Sequence, residues 1–557
     1  MIKSESIALA ALLHDIGKFA QLGGTIPSED EKRLMAEFNL QNGSSHSHTI
    51  HSSTFIEHHF KNGKEDVSQL VLYHHFPEKA PEAIRIDAMR LALADWLSNG
   101  NYRGNEQIIS DEAYTRPLTS IFSKIYKEKN NSPNRYVKPS VLGLNLTDLF
   151  PKPISEINSN SIKEELRNLW KRFNSEFQTI DLSKDFEKYF LTILNLLEKF
   201  TITIPAVSEE PEQDITLYHH LKTTTAIATC LVNLTDDEIK QAYAAIKENK
   251  LSNKMLAEPS FYLVGGDISG IQQFIYSVTS EHALKGLRGR SFYLQLISEA
   301  VAKSILDKFE LTAANVLYIG GGHFFLLLPK KETMVDELNE IIGIVDHNLL
   351  EAHHGKLALV IGKKELSFMD FLGSGFGKVF HLLKKELSIA KRRKFASLLK
   401  NKTDFQRIMK SDVGGEQEVC EICSDELTDK EQKIAKQKGT HQCRFCESYI
   451  NLANDLAYKK ILIEEKMPKN FKKFQGEFGS YYEVLEHLGF HFEFSDKKKE
   501  QGSNLKINST QFLGNSESYD GFRFFPKYAP FIYDPIERRN RVKNLEDFSK
   551  RAKGLTT

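Results

Sequence analysis

His14 and Asp15 stand side by side at the end of an apolar stretch, LAALLHDIGK. On a helix, Ile7, Ala10, Ala11 and His14 share one face, with Asp15 adjoining it. A second segment places Val67, Leu70, Val71 and His74 at i, i+3, i+4 and i+7, so His74 looks inward. In a third, IDAMRLALADWL, Asp95 stacks over Ala88, Leu91 and Ala92, where an unpaired carboxylate costs several kcal/mol. Between them lie His46, His48 and His51, the last two one helical turn apart. Imidazoles and carboxylates converging on one interior suit a hard or borderline divalent ion. Such an ion lowers the pKa of bound water and supplies hydroxide for attack on phosphorus, and two ions hold both the attacking and the leaving oxygen. Any one of these histidines alone is more simply a satisfied core or surface residue. In the order His-Asp, His, His-His, Asp, the set points to a metal-dependent phosphohydrolase site.

A second constellation is different in kind. Cys420-Glu-Ile-Cys423 and Cys443-Arg-Phe-Cys446 are separated by nineteen residues. That spacing fits tetrahedral zinc closed by four thiolates, a site that stabilises the fold and leaves no position for a reactive water. His441 is a possible substitute ligand, but four cysteines already complete the set. The fifth cysteine, Cys230, stands alone, so the count describes a metal site rather than a disulfide framework.

A third is rich in glycine. Gly265-Gly266-Asp267-Ile268-Ser269-Gly270 follows an apolar strand and leads into IQQFIY, which reads as a helix. Glycine permits close backbone approach, and N–H groups at a helix start attract phosphate. Gly320, Gly321 and Gly322 sit where a hairpin would turn, and Lys285, Arg288 and Arg290 add cations within reach of a phosphate. Such turns are more often structural than functional.

The elements that must position these groups follow from periodicity. Residues 5–20, 67–76 and 84–98 read as helices, and residues 101–250 as a polar helical stretch that includes Phe186–Lys199. From Phe261 the runs FYLVGGDISG, VLYIGGGHFFLLLP and KLALVIG alternate with helical stretches. Strand, helix, hairpin, helix and strand in that order predict a ferredoxin-like α+β domain. From about 380 to 500 the chain reads as charged and helical around the cysteines. The 557 residues imply several domains. No apolar run approaches bilayer length, so the expected location is cytoplasmic, with no membrane partner. Lys+Arg 74 balance Asp+Glu 74, so contact with nucleic acid would need local patches such as Lys384–Lys385, Lys391–Lys394 and Lys497–Lys499. Each of these patches is more simply a solvated face.

Taken in order, LLHDIGK, YHH, ADWLSNG, GGDISGIQQFIY, LRGRSFYL, YIGGGHFFLLLP, CEIC and CRFC resemble the large subunit of type III-A CRISPR interference complexes, the HD-and-Palm subunit of the Csm complex. The resemblance implies a multidomain α and α+β protein. Its parts would be an all-helical HD nuclease domain at 1–100, a helical connector at 101–255, a ferredoxin-like first Palm at 256–380 and a zinc-binding helical domain at 381–505. Residues 506–557 would lead toward a second Palm.

Carried over by position, the HD metal ligands would be His14, Asp15, His74 and Asp95, with His48 between them; His51 and His75 are further candidates. His14 and Asp15 would be catalytic, with Mn, Ni or Mg as the ion. Cys420, Cys423, Cys443 and Cys446 would hold structural zinc. Asp267, Ser269, Gly270, Arg288, Gly321 and Gly322 would line a nucleotide pocket for ATP.

Implied partners are guide CRISPR RNA, target RNA, other Csm subunits and single-stranded DNA as substrate. The family's second Palm carries a GGDD hairpin. This sequence contains no GGDD, and its triple glycine runs into His323. The chain stops at FSKRAKGLTT, about where a second Palm would begin. The expectation is therefore a chain without the second Palm and C-terminal helical bundle, with half an ATP site and no cyclic oligoadenylate synthesis of its own. Two rival readings are a phosphohydrolase of free nucleotides with the Palm as a sensor, and a non-catalytic scaffold subunit.

Overall fold

The structure is a computed structural model. It describes the chain apart from residues 1–3, 41–45, 61–63, 101–115, 124–133, 144–149, 207–212, 279–282, 374, 401, 403–404, 407–408, 410–417, 515–516, 526–530, 535–538 and 543–557. Half of the expected lead-in at 506–557 thus lies outside the described residues.

The N-terminal unit is helical because its apolar residues recur at helical spacing. It comprises α1 (Ser4–Leu13), α2 (Ile16–Leu22), α3 (Glu29–Phe38), α4 (His48–His59), α5 (Glu65–Tyr73) and α6 (Arg85–Asn99). Helix α1 is buried from Ser6 to Leu13, so it is the central rod of the bundle. The chain breaks at His14–Asp15 before α2 begins, and α6 ends at Gly100 in the left-handed conformation.

Four further helices complete this unit: α7 (Ser159–Phe177), α8 (Phe186–Thr201), α9 (Leu217–Leu231) and α10 (Asp236–Lys247). Helix α9 packs along α1 and α6, and α7 against α2. Phe173, Phe177, Phe190 and Phe200 lie in the same apolar core as Leu9, Leu12 and Phe19. The stretch 101–255 was expected to be a connector. Instead its helices build one wall of the HD unit, because α1 is apolar all round and needs covering on every side.

The middle unit follows the predicted order: β1 (Pro259–Ser269), α11 (Ile271–Tyr276), α12 (Ala283–Lys308), β2 (Val316–Gly320), β3 (His323–Pro329), α13 (Met334–His353) and β4 (Ala358–Ser367). The sheet order is β2-β3-β1-β4 and every pairing is antiparallel. That is the ferredoxin-like arrangement. Gly321 and Gly322 form the two-residue β2–β3 turn, both with positive φ (60° and 81°), which a side chain would resist. Helix α14 (Gly375–Ala390) covers β1 and β4 through Leu383 and Leu387.

Beyond it, α15 (Asp429–Lys438) lies between the two cysteine pairs, and α16 (Arg444–Tyr458) is capped by Cys443 and contains Cys446. The sequence reading carried helix through to 505, and here the structure differs. β5 (Ile461–Lys466), β6 (Phe490–Ser495), β7 (Ser503–Ile507) and β8 (Gly521–Arg523) form a second sheet of order β8-β7-β5-β6, with α17 (Tyr481–His487) between β5 and β6. Strand β6, FHFEFS, does alternate, burying Phe490, Phe492 and Phe494, but dense Lys and Glu around it hid the period. No helix is long and apolar enough to cross a membrane among the described residues.

Candidate metal centre and Palm edge

His14 hangs in the break between α1 and α2. Its Nδ1 lies 2.8 Å from the Ala11 carbonyl, which leaves Nε2 3.5 Å from carboxylate oxygens of both Asp15 and Asp95. His74, at the C-terminal cap of α5, repeats the device: Nδ1 is 2.6 Å from the Val71 carbonyl, and its buried Nε2 has no hydrogen-bond partner. A ring N–H donating to a backbone carbonyl fixes the tautomer whose other nitrogen carries a free lone pair. His48 on α4 sets Nε2 2.7 Å from Asp15 Oδ1, and His75 Nε2 lies 3.3 Å from that of His48.

These side chains form two donor sets. One is Asp15, His48, His74 and His75; the other is His14, Asp15, Asp95 and His220. Within each set, ligand atoms from all four residues lie within 4.8 Å of one another. Asp15 belongs to both. His220, on α9, brings Nε2 to 3.1 Å from Asp15 and 3.2 Å from Asp95. His46 stacks on His75, with ring centroids 4.3 Å apart. His51 pairs instead with Glu31, Nδ1 to carboxylate 2.8 Å, and joins neither donor set.

The electrostatics suit cation binding. Burial opposes the Asp15 charge, yet His14, Lys18 and His48 together with a hydrogen bond from His220 hold its carboxyl well below the usual range. Asp95 is likewise buried but held low by the neighbouring His14 and His220 imidazoles. Burial pushes His48 down, His74 down to about 3, and His75 well below the ordinary imidazole value. His220 moves the other way: burial disfavours its charge, but Asp15 and Asp95 outweigh it. A buried carboxylate facing the neutral imidazoles of His48, His74 and His75 is the protonation state that a divalent ion requires. Lys18 Nζ, 2.5 Å from Asp15, partly balances that charge.

The four cysteines converge as well, all four sulfurs lying within 4.8 Å of one another. Cys423 and Cys443 are 3.7 Å apart, and tetrahedral zinc with bonds of about 2.3 Å would separate its sulfurs by about 3.8 Å. Backbone N–H groups of Cys443 and Cys446 donate to the sulfurs of Cys420 and Cys443. His441 turns to Glu418, 3.3 Å away, and stands outside the cluster.

At the Palm, strand pairing sets Asp267 opposite His323, beside the Gly321–Gly322 turn, and the Ile268 N–H donates to the Gly322 carbonyl. Ser269 and Gly270 follow at the same end of β1. Asp267 is not free: His323 lies 3.1 Å and Lys391 2.6 Å from its carboxylate. Arg288 lies half-buried on α12, which packs against α11. Arg290 does not offer its charge to a phosphate, as the sequence suggested. It is buried beneath α11 and bonded to Cys446.

The HD domain family matches residues 2–100, and the family described as Csm1 subunit domain B matches residues 260–411. The CRISPR system single-strand-specific deoxyribonuclease Cas10/Csm1 (subtype III-A) of Methanocaldococcus jannaschii is 27% identical over 548 residues, covering 91% of this chain and 63% of its own. Over most of its length this chain is similar to the Cas10/Csm1 proteins of subtype III-A. A relative of the same description from Enterococcus italicus is 26% identical over 82% of this chain and 58% of its own length. Among solved structures, a Csm1–Csm4 subcomplex of the type III-A interference complex superposes with a TM-score of 0.60 at 23% identity, covering 96% of this chain and 61% of its own. A Csm1–Csm4 cassette in complex with pppApA gives 0.60 at 22%, covering 98% and 63%. These likenesses establish the fold. The chain spans less than two thirds of the length of these relatives.

Sequence reasoning had placed His14, Asp15, His48, His74 and Asp95 together, and the geometry brings them together. It missed His220, which lies 205 residues beyond Asp15 in the chain. One signal was present: the tripeptide Tyr-His-His occurs at 73–75 and again at 218–220.

Proposed function

We propose that this chain is the large subunit of a type III-A RNA-guided effector and that its HD unit cuts single-stranded DNA with divalent metal. The observation that carries this reading is Asp15 shared between two four-residue donor sets. His48, His74 and His75 would complete one site around Asp15, and His14, Asp95 and His220 the other. Bound ions supply a hydroxide nucleophile near neutral pH and neutralise charge on the phosphodiester. The chain's own residues do the rest. The Ala11 and Val71 carbonyls orient His14 and His74, and Ser98 Oγ at 3.2 Å from His220 Nδ1 and Asn99 at 2.9 Å from Asp95 hold those two ligands. Lys18 keeps Asp15 ionised. Donor sets this rich in nitrogen favour Mn or Ni over Mg.

The Palm edge of Asp267, Ser269, Gly270, Gly321 and Gly322, with Arg288 nearby on α12, serves as half of an ATP pocket. His323 and Lys391 neutralise Asp267, so this half binds phosphate rather than holding a catalytic metal. The four cysteines carry structural zinc. Csm4 is the first partner to seek, since related Csm1 chains were solved with it. Guide and target RNA are expected in the same assembly.

The test is cleavage of labelled single-stranded DNA with Mn²⁺ or Ni²⁺, beside the hydrolysis of free nucleotides. His14→Ala with Asp15→Ala should abolish DNA cleavage while leaving the helical circular dichroism intact. Undiminished cleavage by the double variant, or turnover of free nucleotides alone, would overturn the assignment.

A further inference from the structure

Arg290 is 4% exposed, on α12, and no residue of the HD centre touches it. One arm of its guanidinium, Nη1, donates to the Phe274 carbonyl at 2.7 Å, the Ser277 carbonyl at 3.0 Å and Ser277 Oγ at 2.9 Å. The other, Nη2, donates to Cys446 Sγ at 3.4 Å. The guanidinium carbon lies 5.1 Å from the ring centre of Phe274 and 5.7 Å from that of Tyr449. Phe274 and Ser277 belong to the last turn of α11 and its cap, the segment that leaves the Palm edge directly after Gly270. Cys446 and Tyr449 belong to the first turns of α16, which Cys443 caps.

The neighbouring residue shows that this approach is built in. A Cβ on Gly289 would lie 1.9 Å from the Tyr449 carbonyl oxygen, so α12 and α16 could not cross so closely with any other residue there. The close crossing is what lets one planar side chain reach both the thiolate cluster and the end carbonyls of α11. The Ser277 hydroxyl also donates to the Phe274 carbonyl at 3.2 Å, and a buried charge in this position needs several acceptors. Lysine has the charge but lacks the planar fork.

We infer that Arg290 is a positioning residue that ties the four-cysteine centre to the Palm edge: its guanidinium donates to the Cys446 sulfur and to the end of the segment 271–277, so that the state of the cysteines is felt beside the glycine-rich turn. The inference rests on the zinc reading of the cysteines. An N–H···S hydrogen bond draws electron density from a metal-bound thiolate, as groups outside the ligand shell commonly do. Loss of zinc would free the Cys446 side chain to leave this position, which breaks its contact with Arg290 and loosens the hold on 271–277.

The experiment uses the full chain with cobalt replacing zinc. Wild type should show intense thiolate-to-cobalt charge-transfer absorption. Arg290→Met should bind cobalt with that absorption moved to lower energy, because the sulfur has lost its donor. Amide hydrogen exchange at 271–277 should quicken in Arg290→Met, and also in wild type stripped of metal. Stripping Arg290→Met should add little more, since the link is already cut. Arg290→Lys should fall between the two proteins in the optical band and exchange fast at 271–277, which keeps the test informative if the methionine variant folds poorly. A wild type with no thiolate–cobalt band would remove the zinc reading and the inference with it. Normal cobalt binding with an unmoved band, or additive effects of stripping and mutation on 271–277, would overturn the role of Arg290 and leave the zinc reading intact.

Discussion

If both donor sets bind metal as proposed, His220 is the side chain whose removal would separate one site from two. It contributes to the set of His14, Asp15 and Asp95 and lies outside the set of His48, His74 and His75. His220→Ala should weaken metal binding at the first set by on the order of 10–100-fold or more and leave the second occupied. Titration calorimetry with Mn²⁺ should then find one strong site in place of two, with DNA cleavage falling in parallel. Unchanged stoichiometry would mean that His220 only supports the carboxylates. A second residue carries a pH signature away from any metal. Asp346, buried on α13, has its carboxyl raised from 3.8 to about 6 by burial, although the Ser397 hydroxyl donates to it. A raised folded-state value means that the contribution to stability is full below the unfolded value and is lost as pH rises through about 6. The cost by neutral pH is about 3 kcal/mol. Asp346→Asn should therefore melt higher than wild type near pH 7.5, and the advantage should vanish near pH 4. An equal difference at both would show that the carboxyl does not titrate in that range.

At the scale of elements, the cysteine knuckle would be the part least able to stand without the zinc proposed for it. Its local apolar cluster is small, with Ile422 and Leu427 as the buried aliphatic members beside the cysteines. Metal affinity there is folding energy. Serine at Cys420 and Cys443 should abolish bound zinc, close to one per chain in wild type, and expose residues 420–458 to limited proteolysis while the HD helices stay protected. Retained zinc or an unchanged digest would refute this. The knuckle was legible because spacing alone defines it. The Palm was legible too, because its strands are apolar runs with glycine turns and its helices lie between them in order. The second sheet was not, since Lys and Glu crowd its short strands and β8 is three residues long. The connector was misread because helices α7–α10 look like solvated amphipathic helices one at a time. Their apolar faces acquire meaning against α1, and nothing local in the sequence reports that pairing.

For the whole molecule, α9 is the member that joins the parts. Helix α9 packs on α1 and α6, and its N-terminal half carries His220 into the candidate metal centre, beside Asp15 and Asp95. Its C-terminal half is stitched to the Palm. Asn315 donates to the carbonyls of Ala226 and Leu327, both at 3.1 Å, Thr229 donates to Asn315 at 3.1 Å, and Cys230 reaches the Leu327 carbonyl. One apolar core runs from Leu12 through Leu221 and Ile227 to Leu327 and Val360. On the proposed function, the span that matches the HD family, residues 2–100, would therefore not be a self-sufficient catalytic unit. A fragment of residues 1–100 would lose His220 and leave α1 and α6 uncovered along the path of α9. It should bind at most one ion, melt without a cooperative transition and fail to cut single-stranded DNA with Mn²⁺. A fragment of residues 1–255 keeps every donor of both sets but leaves the Palm-facing side of α9 open to water. It should cut DNA, and its thermal midpoint should lie below that of the 557-residue chain, because buried groups such as Thr229 and the Ala226 carbonyl lose their Palm partners at about 1–3 kcal/mol each. Cleavage and calorimetry of the two fragments beside the whole chain decide the matter. Full activity in residues 1–100 would show that α9 lends nothing to catalysis, and an unaltered midpoint in residues 1–255 would show that the Palm does not brace it.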